Sequence, residues 1–146
     1  MKVRDVMTAK VATVAPDKTV LEAARLMQTH NVGAVPVCLQ NGNVAGIVTD
    51  RDIVVRCIAN NGDPKATLVK DIMTQEVITA SPDLYVDDAA KIMSRYKIRR
   101  LPVVENASLV GMISIGDLAT RHLLQDEASE ALSEISEPSK PMNMIQ

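Results

Sequence analysis

The stretch VRDVMT at residues 3–8 returns almost unchanged as VKDIMT at residues 69–74. The similarity continues beyond this motif, because residues 3–38 align with residues 69–104 with 14 identities in 36 pairs. A repeat at a fixed spacing is the signature of a chain that uses one supersecondary unit twice. The sequence therefore predicts two similar halves, each too small to bury a secure core by itself.

Each half carries the same order of predicted elements. A short apolar segment ends at Pro-Asp, which signals a turn or a helix start. The helix that follows in the first half has an apolar face at helical spacing, formed by Val20, Ala23, Ala24 and Met27. Two apolar strands and a final helix complete each half, which predicts an α/β fold of two β-α-β-β-α repeats packed with pseudo-twofold symmetry. The predicted strands and last helices are residues 34–39, 44–48 and about 50–59, and then 101–104, 109–113 and 115–124.

The predicted boundaries place the first half at residues 1–60, a polar linker at residues 61–68 and the second half at residues 69–124. Residues 125–146 carry a net charge of −4 and few apolar side chains. A segment of this composition cannot bury enough apolar surface to order itself, so we expect a disordered tail.

Composition argues against several classes of protein. The chain has a net charge of −2, no Phe or Trp and two Tyr, so it lacks the basic, aromatic surface that nucleic-acid-binding proteins use. No stretch approaches 18 consecutive apolar residues, and we expect no membrane span. Cys38 and Cys57 form no CxxC motif, which favours reduced thiols and a cytoplasmic location. His30 and His122 are isolated, so we expect no metal site.

A further motif runs from Gly46 to Asp52, where a strand ends and a helix begins. The free N–H groups and the dipole of a helix start favour a negative charge at such a position. Thr49 can donate its hydroxyl to a phosphate, and Asp52 can accept hydrogen bonds from both ribose hydroxyls. The alternative is a capping box, in which the same side chains satisfy the backbone at the helix start. Taken alone, the local sequence favours the cap.

All of these motifs occur twice, in order and at one spacing, and together they resemble the tandem cystathionine β-synthase (CBS) domain pair, or Bateman module. The motifs are the RDVMT and KDIMT openings, the VPV and LPV strands at 35–37 and 101–103, and the Gly-x-x-Thr/Ser-x-x-Asp closings at 46–52 and 111–117. The resemblance covers residues 3–124. It is greatest to free-standing bacterial two-domain proteins of the hypoxic-response type.

The resemblance implies a regulatory module that binds an adenine nucleotide, AMP or ATP, in clefts between the two repeats. The residues that it implies for phosphate and ribose are Thr49, Asp52, Ser114 and Asp117. It also favours a phosphate clamp by Arg99 and Arg100 over a solvated pair, with Arg51 as a weaker substitute in the first half. The residues that it implies for the adenine base, each with core packing as the alternative, are Ile78, Thr79, Ala80, Leu101, Pro102 and Met112.

The expected partners are an adenosyl small molecule, a second copy of the chain in a homodimer and an unknown protein that reads the signal, with no required cofactor. One alternative is a structural dimerisation module with vestigial sites. Another is a binder of NADH or S-adenosylmethionine. An enzyme is disfavoured, because Ser114, Asp117 and His122 suggest a hydrolase triad but Met112 stands where a nucleophile elbow needs glycine.

Overall fold

Two antiparallel hairpins, one from each half, provide the β-strands of the fold. The structure is a computed structural model, and it describes residues 1–120 and 125–137. This order of elements confirms the predicted α/β fold of two similar repeats. In chain order the elements are α1 (Val3–Val6), α2 (Val20–His30), β1 (Ala34–Cys38), β2 (Val44–Thr49), α3 (Asp50–Asp52), a π-helical segment (Ile53–Ile58), α4 (Val69–Ile72), α5 (Val86–Tyr96), β3 (Arg100–Glu105), β4 (Ser108–Ser114), α6 (Ile115–Thr120) and α7 (Gln125–Ile135).

The two hairpins share the same irregularity. The pairing of β1 with β2 shifts register between Val37 and Cys38, and the pairing of β3 with β4 shifts between Val103 and Val104. These positions are equivalent in the repeat. Because a register shift of this kind bends a strand, both hairpins should bend at the same point.

The short apolar segments at residues 11–14 and 77–80, which we expect to form the first strand of each half, pair over less of their length than predicted. Val14 pairs with Val37 in a single parallel bridge, and Ala80 pairs with Val103 in the same way. A proline follows two residues later in each half, and proline has no N–H with which to extend the pairing.

The short helices of the repeated opening motif cross between the halves. The Val3 N–H of α1 donates to the Leu84 carbonyl of the second half (2.8 Å). The Val69 N–H of α4 donates to the Lys18 carbonyl of the first half (2.8 Å). Each half therefore begins with a segment that is bound to the other half.

The crossing segments then extend the hairpins of the opposite half. Thr8 and Met112 exchange two backbone hydrogen bonds (2.8 and 2.9 Å), which places Thr8 along β4. Thr74 and Ile47 exchange two more (2.9 and 3.0 Å), which places Thr74 along β2. The two halves are thus joined by backbone pairing as well as by side chains.

The apolar core consists of two clusters, and each includes the crossing helix of the other half. Val3 and Val6 are buried in the second-half cluster, which also contains Leu101. Val69 and Ile72 are buried in the first-half cluster. At the surface of this contact, the Arg4 guanidinium donates to the Asp83 carboxylate and lowers the pKa of that carboxyl.

The final helix of the first half differs from the regular helix predicted over residues 50–59. After α3 the chain continues as a π-helical segment, in which the Ala59 N–H donates to the Val54 carbonyl (2.8 Å). Within this segment Val54, Val55 and Ile58 have 58%, 46% and 52% of their surface exposed. In the second half α6 ends at Thr120, and residues 121–124 lie outside the described residues.

The expectation of disorder from residue 125 is wrong for residues 125–135, which form α7 and pack on α5 and α6. Ala128 and Ala131 are 4% and 1% exposed, and Ala90 and Ser94 of α5 are also buried. Small side chains on both helices allow close approach, so an acidic segment still buries an apolar stripe. The rest of the expected tail, residues 138–146, lies outside the described residues.

Candidate functional site

A cleft of about 470 Å³ is lined by residues of both halves. Its volume lies within the range of about 300–1,000 Å³ that small-molecule sites occupy. The first half provides most of the wall, and the second half provides the end of the hairpin β3–β4 and the start of α6. The lining residues are Thr8, Lys10, Val11, Ala12, His30, Asn31, Val32, Gly33, Ala34 and Pro36, with Arg100, Met112, Ser114 and Asp117 from the second half.

Ser114 and Asp117 stand at the helix start in this cleft. The Asp117 N–H donates to Ser114 Oγ (3.1 Å), and the Ser114 N–H donates to Asp117 Oδ2 (2.8 Å). This reciprocal pair is the capping box that the sequence offered as the alternative to ligand binding. Both side chains retain hydrogen-bonding capacity, because the Ser114 hydroxyl can still donate and the second carboxylate oxygen of Asp117 can still accept. The cap therefore fixes both groups in place without excluding a ligand.

Arg100 lies beside them, because Arg100 pairs with Ser114 at the end of the β3–β4 ladder. Its side chain is half-buried and lines the cleft. Guanidinium, hydroxyl and carboxylate are therefore brought to one wall, as the sequence predicted for the second motif. Arg99 is exposed and does not line this cleft, and its carbonyl accepts a hydrogen bond from the Ile115 N–H (2.8 Å).

The structure does not bring the other residues predicted for the adenine base to this cleft. Ala80 and Leu101 are buried in the second-half core at 4% and 0% exposure, and Pro102 is also buried. Ile78 packs against the same core, while Thr79 is exposed. Of the six candidates, Met112 lines the cleft.

The apolar wall opposite Asp117 comes from the first half, at Val11, Ala12, Ala34 and Pro36. Ala12 and Pro36 are the repeat counterparts of Ile78 and Pro102. Two positions equivalent to predicted ones therefore line this cleft, but they come from the half that does not carry Asp117. Lys10, Thr8 and the His30–Val32 turn also belong to that half, and the sequence did not predict them.

The first motif has a different environment. Thr49 and Asp52 form the same capping box, with Asp52 N–H to Thr49 Oγ1 at 3.1 Å and Thr49 N–H to Asp52 Oδ2 at 3.0 Å. Asp52 is only 8% exposed, and its Oδ1 lies 3.8 Å from Arg56 Nε. Arg51 is exposed, and none of Thr49, Arg51 and Asp52 lines the 470 Å³ cleft.

The first glycine of each closing motif, Gly46 or Gly111, lies against the backbone of a crossing segment. A Cβ on Gly46 would lie 2.6 Å from the Thr74 carbonyl oxygen, and a Cβ on Gly111 would lie 2.7 Å from the Thr8 carbonyl oxygen. Contacts this short do not occur in folded proteins, so these positions require glycine for the approach of a backbone.

Other chemistry has little support in the described part of the chain. Burial raises the pKa of the Cys38 thiol, which disfavours the thiolate that a nucleophile needs. Among residues 1–120 and 125–137, no three His, Cys, Asp or Glu side chains cluster in a way that could hold a metal ion. Over the same ranges, no helix is both long and apolar enough to cross a bilayer.

Comparison with known proteins identifies the class. The CBS domain family model matches residues 3–58 and 69–123, so the chain belongs to the CBS domain family as a tandem pair. It is 43% identical to the CBS domain-containing protein YhcV of Bacillus subtilis over 134 residues, which is 92% of this chain and 94% of YhcV.

Two solved structures show the same fold. Hypoxic Response Protein I, described with two coordinated zinc ions, is 29% identical with a TM-score of 0.76, over 82% of this chain and 97% of that one. The CBS domain pair of protein MJ0100 is 32% identical with a TM-score of 0.73, over 82% and 93% of the two chains. That pair was solved in complex with 5′-methylthioadenosine and S-adenosyl-L-methionine.

Proposed function

We propose that this chain is a regulatory ligand-sensing module that binds an adenine nucleotide of the AMP or ATP type, and that it is not an enzyme. The observation that carries the proposal is the cleft between the halves, in which Ser114, Asp117 and Arg100 face an apolar wall. Asp117 would accept the ribose hydroxyls, and Ser114 and Arg100 would bind phosphate oxygens. The complex of the MJ0100 pair with two adenosyl compounds supports an adenosyl ligand here.

Binding in such a cleft would favour one arrangement of the halves, because the ligand contacts both. A change of geometry follows only if the ligand has a different affinity for two arrangements. A partner protein would then read that difference. We propose that the module acts as a homodimer in the cytoplasm and needs no resident cofactor.

The test is calorimetric titration of the full chain with AMP, ATP, NADH and S-adenosylmethionine, repeated on Asp117→Asn. Asparagine keeps an oxygen for the Ser114 N–H and preserves the cap, but the amide nitrogen that replaces the second carboxylate oxygen cannot accept a hydrogen bond from a ribose hydroxyl. We expect nucleotide binding to the wild type and a loss of at least tenfold, about 1.4 kcal/mol, in the variant. Wild-type binding that is unaffected by Asp117→Asn would contradict the assignment of this cleft.

The capping geometry favours one competing function, a structural dimerisation module with vestigial sites. Both closing motifs satisfy their helix starts without a ligand, so their conformation alone does not require one. If none of the four compounds gives a heat of binding or a shift in the thermal midpoint, the result would favour this alternative.

A further inference from the structure

Lys10 reaches the cleft from the half of the chain that does not carry Asp117. The crossing segment pairs Thr8 with Met112 on β4, and Lys10 follows two residues later. Its backbone has φ of 54°, in the left-handed region that non-glycine residues seldom adopt, and it lines the cleft. The exchange of opening segments is therefore what brings Lys10 and Asp117 into one site.

The charged groups that line this cleft are mostly basic. Lys10 and Arg100 line it together with a single carboxylate, that of Asp117. Within residues 1–120 and 125–137, neither Lys10 nor Arg100 forms an ion pair. Two cations and one carboxylate leave the lining of the cleft with a net positive charge, which attracts an anion and repels a cation.

The fold does not require a lysine at this position. Its counterpart in the second repeat is Glu76, of opposite charge, which follows the equivalent Thr74. Lys10 is exposed, so its substitution leaves both cores intact. The fold therefore does not depend on the charge at position 10, and this charge can contribute to recognition of a ligand.

We propose that Lys10 determines the charge of the ligand: together with Arg100 it binds the phosphate groups of the nucleotide, one cation from each half. This inference rests on the proposed function, in which Asp117 holds the ribose and Ser114 and Arg100 bind phosphate oxygens. It names phosphorylated adenosyl compounds as the ligand class. Uncharged adenosine and the sulfonium cation S-adenosylmethionine would bind more weakly.

The experiment is calorimetry on the full chain with ATP, AMP, adenosine and S-adenosylmethionine as probes, at low and high salt. The variants are Lys10→Gln, Lys10→Arg and, as a matched control outside the cleft, Lys65→Gln. We expect Lys10→Gln to weaken ATP and AMP about tenfold and to change adenosine by less than about twofold. Lys10→Arg should retain most of the nucleotide affinity, Lys65→Gln should resemble the wild type, and high salt should reduce the effect.

Two results would overturn the inference while leaving the proposed function in place. One is equal wild-type affinity for ATP and adenosine. The other is an equal loss of adenosine and ATP in Lys10→Gln, which would mean that Lys10 shapes the nucleoside site instead of reading phosphate. If none of the four probes binds the wild type, the proposed function is wrong and this inference is overturned with it.

Discussion

Asp52 and Asp117 occupy equivalent positions and make equivalent caps, yet their surroundings differ. Asp117 lines the cleft, whereas Asp52 is 8% exposed and has Arg56 3.8 Å from its free oxygen. A carboxylate that is already buried beside a cation has less capacity to accept ribose hydroxyls. Gly33 and Ala34 also stand in the first half where the second half has Arg99 and Arg100, and both differences lead us to expect that the two motifs bind AMP unequally.

We expect the site at Asp117 to bind AMP more tightly than the site at Asp52, so Asp52→Asn should leave the tighter phase within about twofold of the wild type, while Asp117→Asn removes it. The two variants form a matched pair, because each keeps its cap and loses one negative charge. Calorimetry with AMP checks the prediction. Loss of the tighter phase in Asp52→Asn, with retention in Asp117→Asn, would move the main site to the first motif.

Gly111 lies against the backbone of the crossing segment, whereas Gly116 has room for a methyl group. Gly111→Ala would place a Cβ 2.7 Å from the Thr8 carbonyl oxygen, so the crossing segment must move, and we expect a loss of about 1–3 kcal/mol in the free energy of unfolding. Gly116→Ala is the control, because its Cβ would meet Ser114 Oγ at an ordinary 3.5 Å within α6. Urea unfolding of Gly116→Ala should give a free energy of unfolding equal to or higher than that of the wild type. Equal losses in both variants would contradict the close approach.

Helix α7 is the element that breaks the symmetry of the repeat. It covers α5 and α6, while the equivalent face of the first half, beside the π-helical segment, keeps Val54, Val55 and Ile58 exposed. Its acidic composition concealed this helix in the sequence, because pairs of alanines give a weak apolar signal. The regular helices α2 and α5 were predictable, since larger side chains mark their buried faces.

We expect deletion of residues 125–146 to lower the thermal midpoint, because it exposes Ala90 and Ser94 of α5. AMP affinity should stay within about twofold of the wild type, since none of the described α7 residues lines the cleft. Deletion of residues 138–146 alone is the control for length. A tenfold loss of affinity in the longer deletion would show that this region closes over the site.

At the scale of the whole molecule, the exposed apolar face of the first half favours self-association, since surfaces of this kind usually mark interfaces. We expect a homodimer at micromolar concentration, with Val54 and Ile58 buried in the contact. The double substitution Val54→Glu with Ile58→Glu should give a monomer in light scattering, because it places charges in an apolar contact. The control is Leu39→Glu, at an exposed apolar residue outside this face, and this variant should remain dimeric. A monomeric wild type would refute the prediction.

The sequence was sufficient for the two repeats, because their strands and regular helices leave local signals, but it did not predict α7 or the π-helical segment. The site was predictable only in part. Ser114, Asp117 and Arg100 belong to one local motif and one hairpin, whereas Lys10 and the apolar wall come from the other half, through long-range contacts that adjacent residues do not encode. Repeat alignment finds the equivalent positions, but it does not show which half each position faces.

The exchange of opening segments also bears on whether this protein can be built from two pieces. Cleavage in the linker at residues 61–68 would leave each fragment holding a helix that belongs in the other's core, with Val3 and Val69 both 0% exposed in the intact chain. Each fully buried valine contributes about 1.5–3 kcal/mol, so the fragments should reassociate when they are co-expressed and should aggregate when expressed separately. Replacing Val3 and Val6 with serine should abolish that complementation. Independent folding of either fragment would show that the exchange is dispensable.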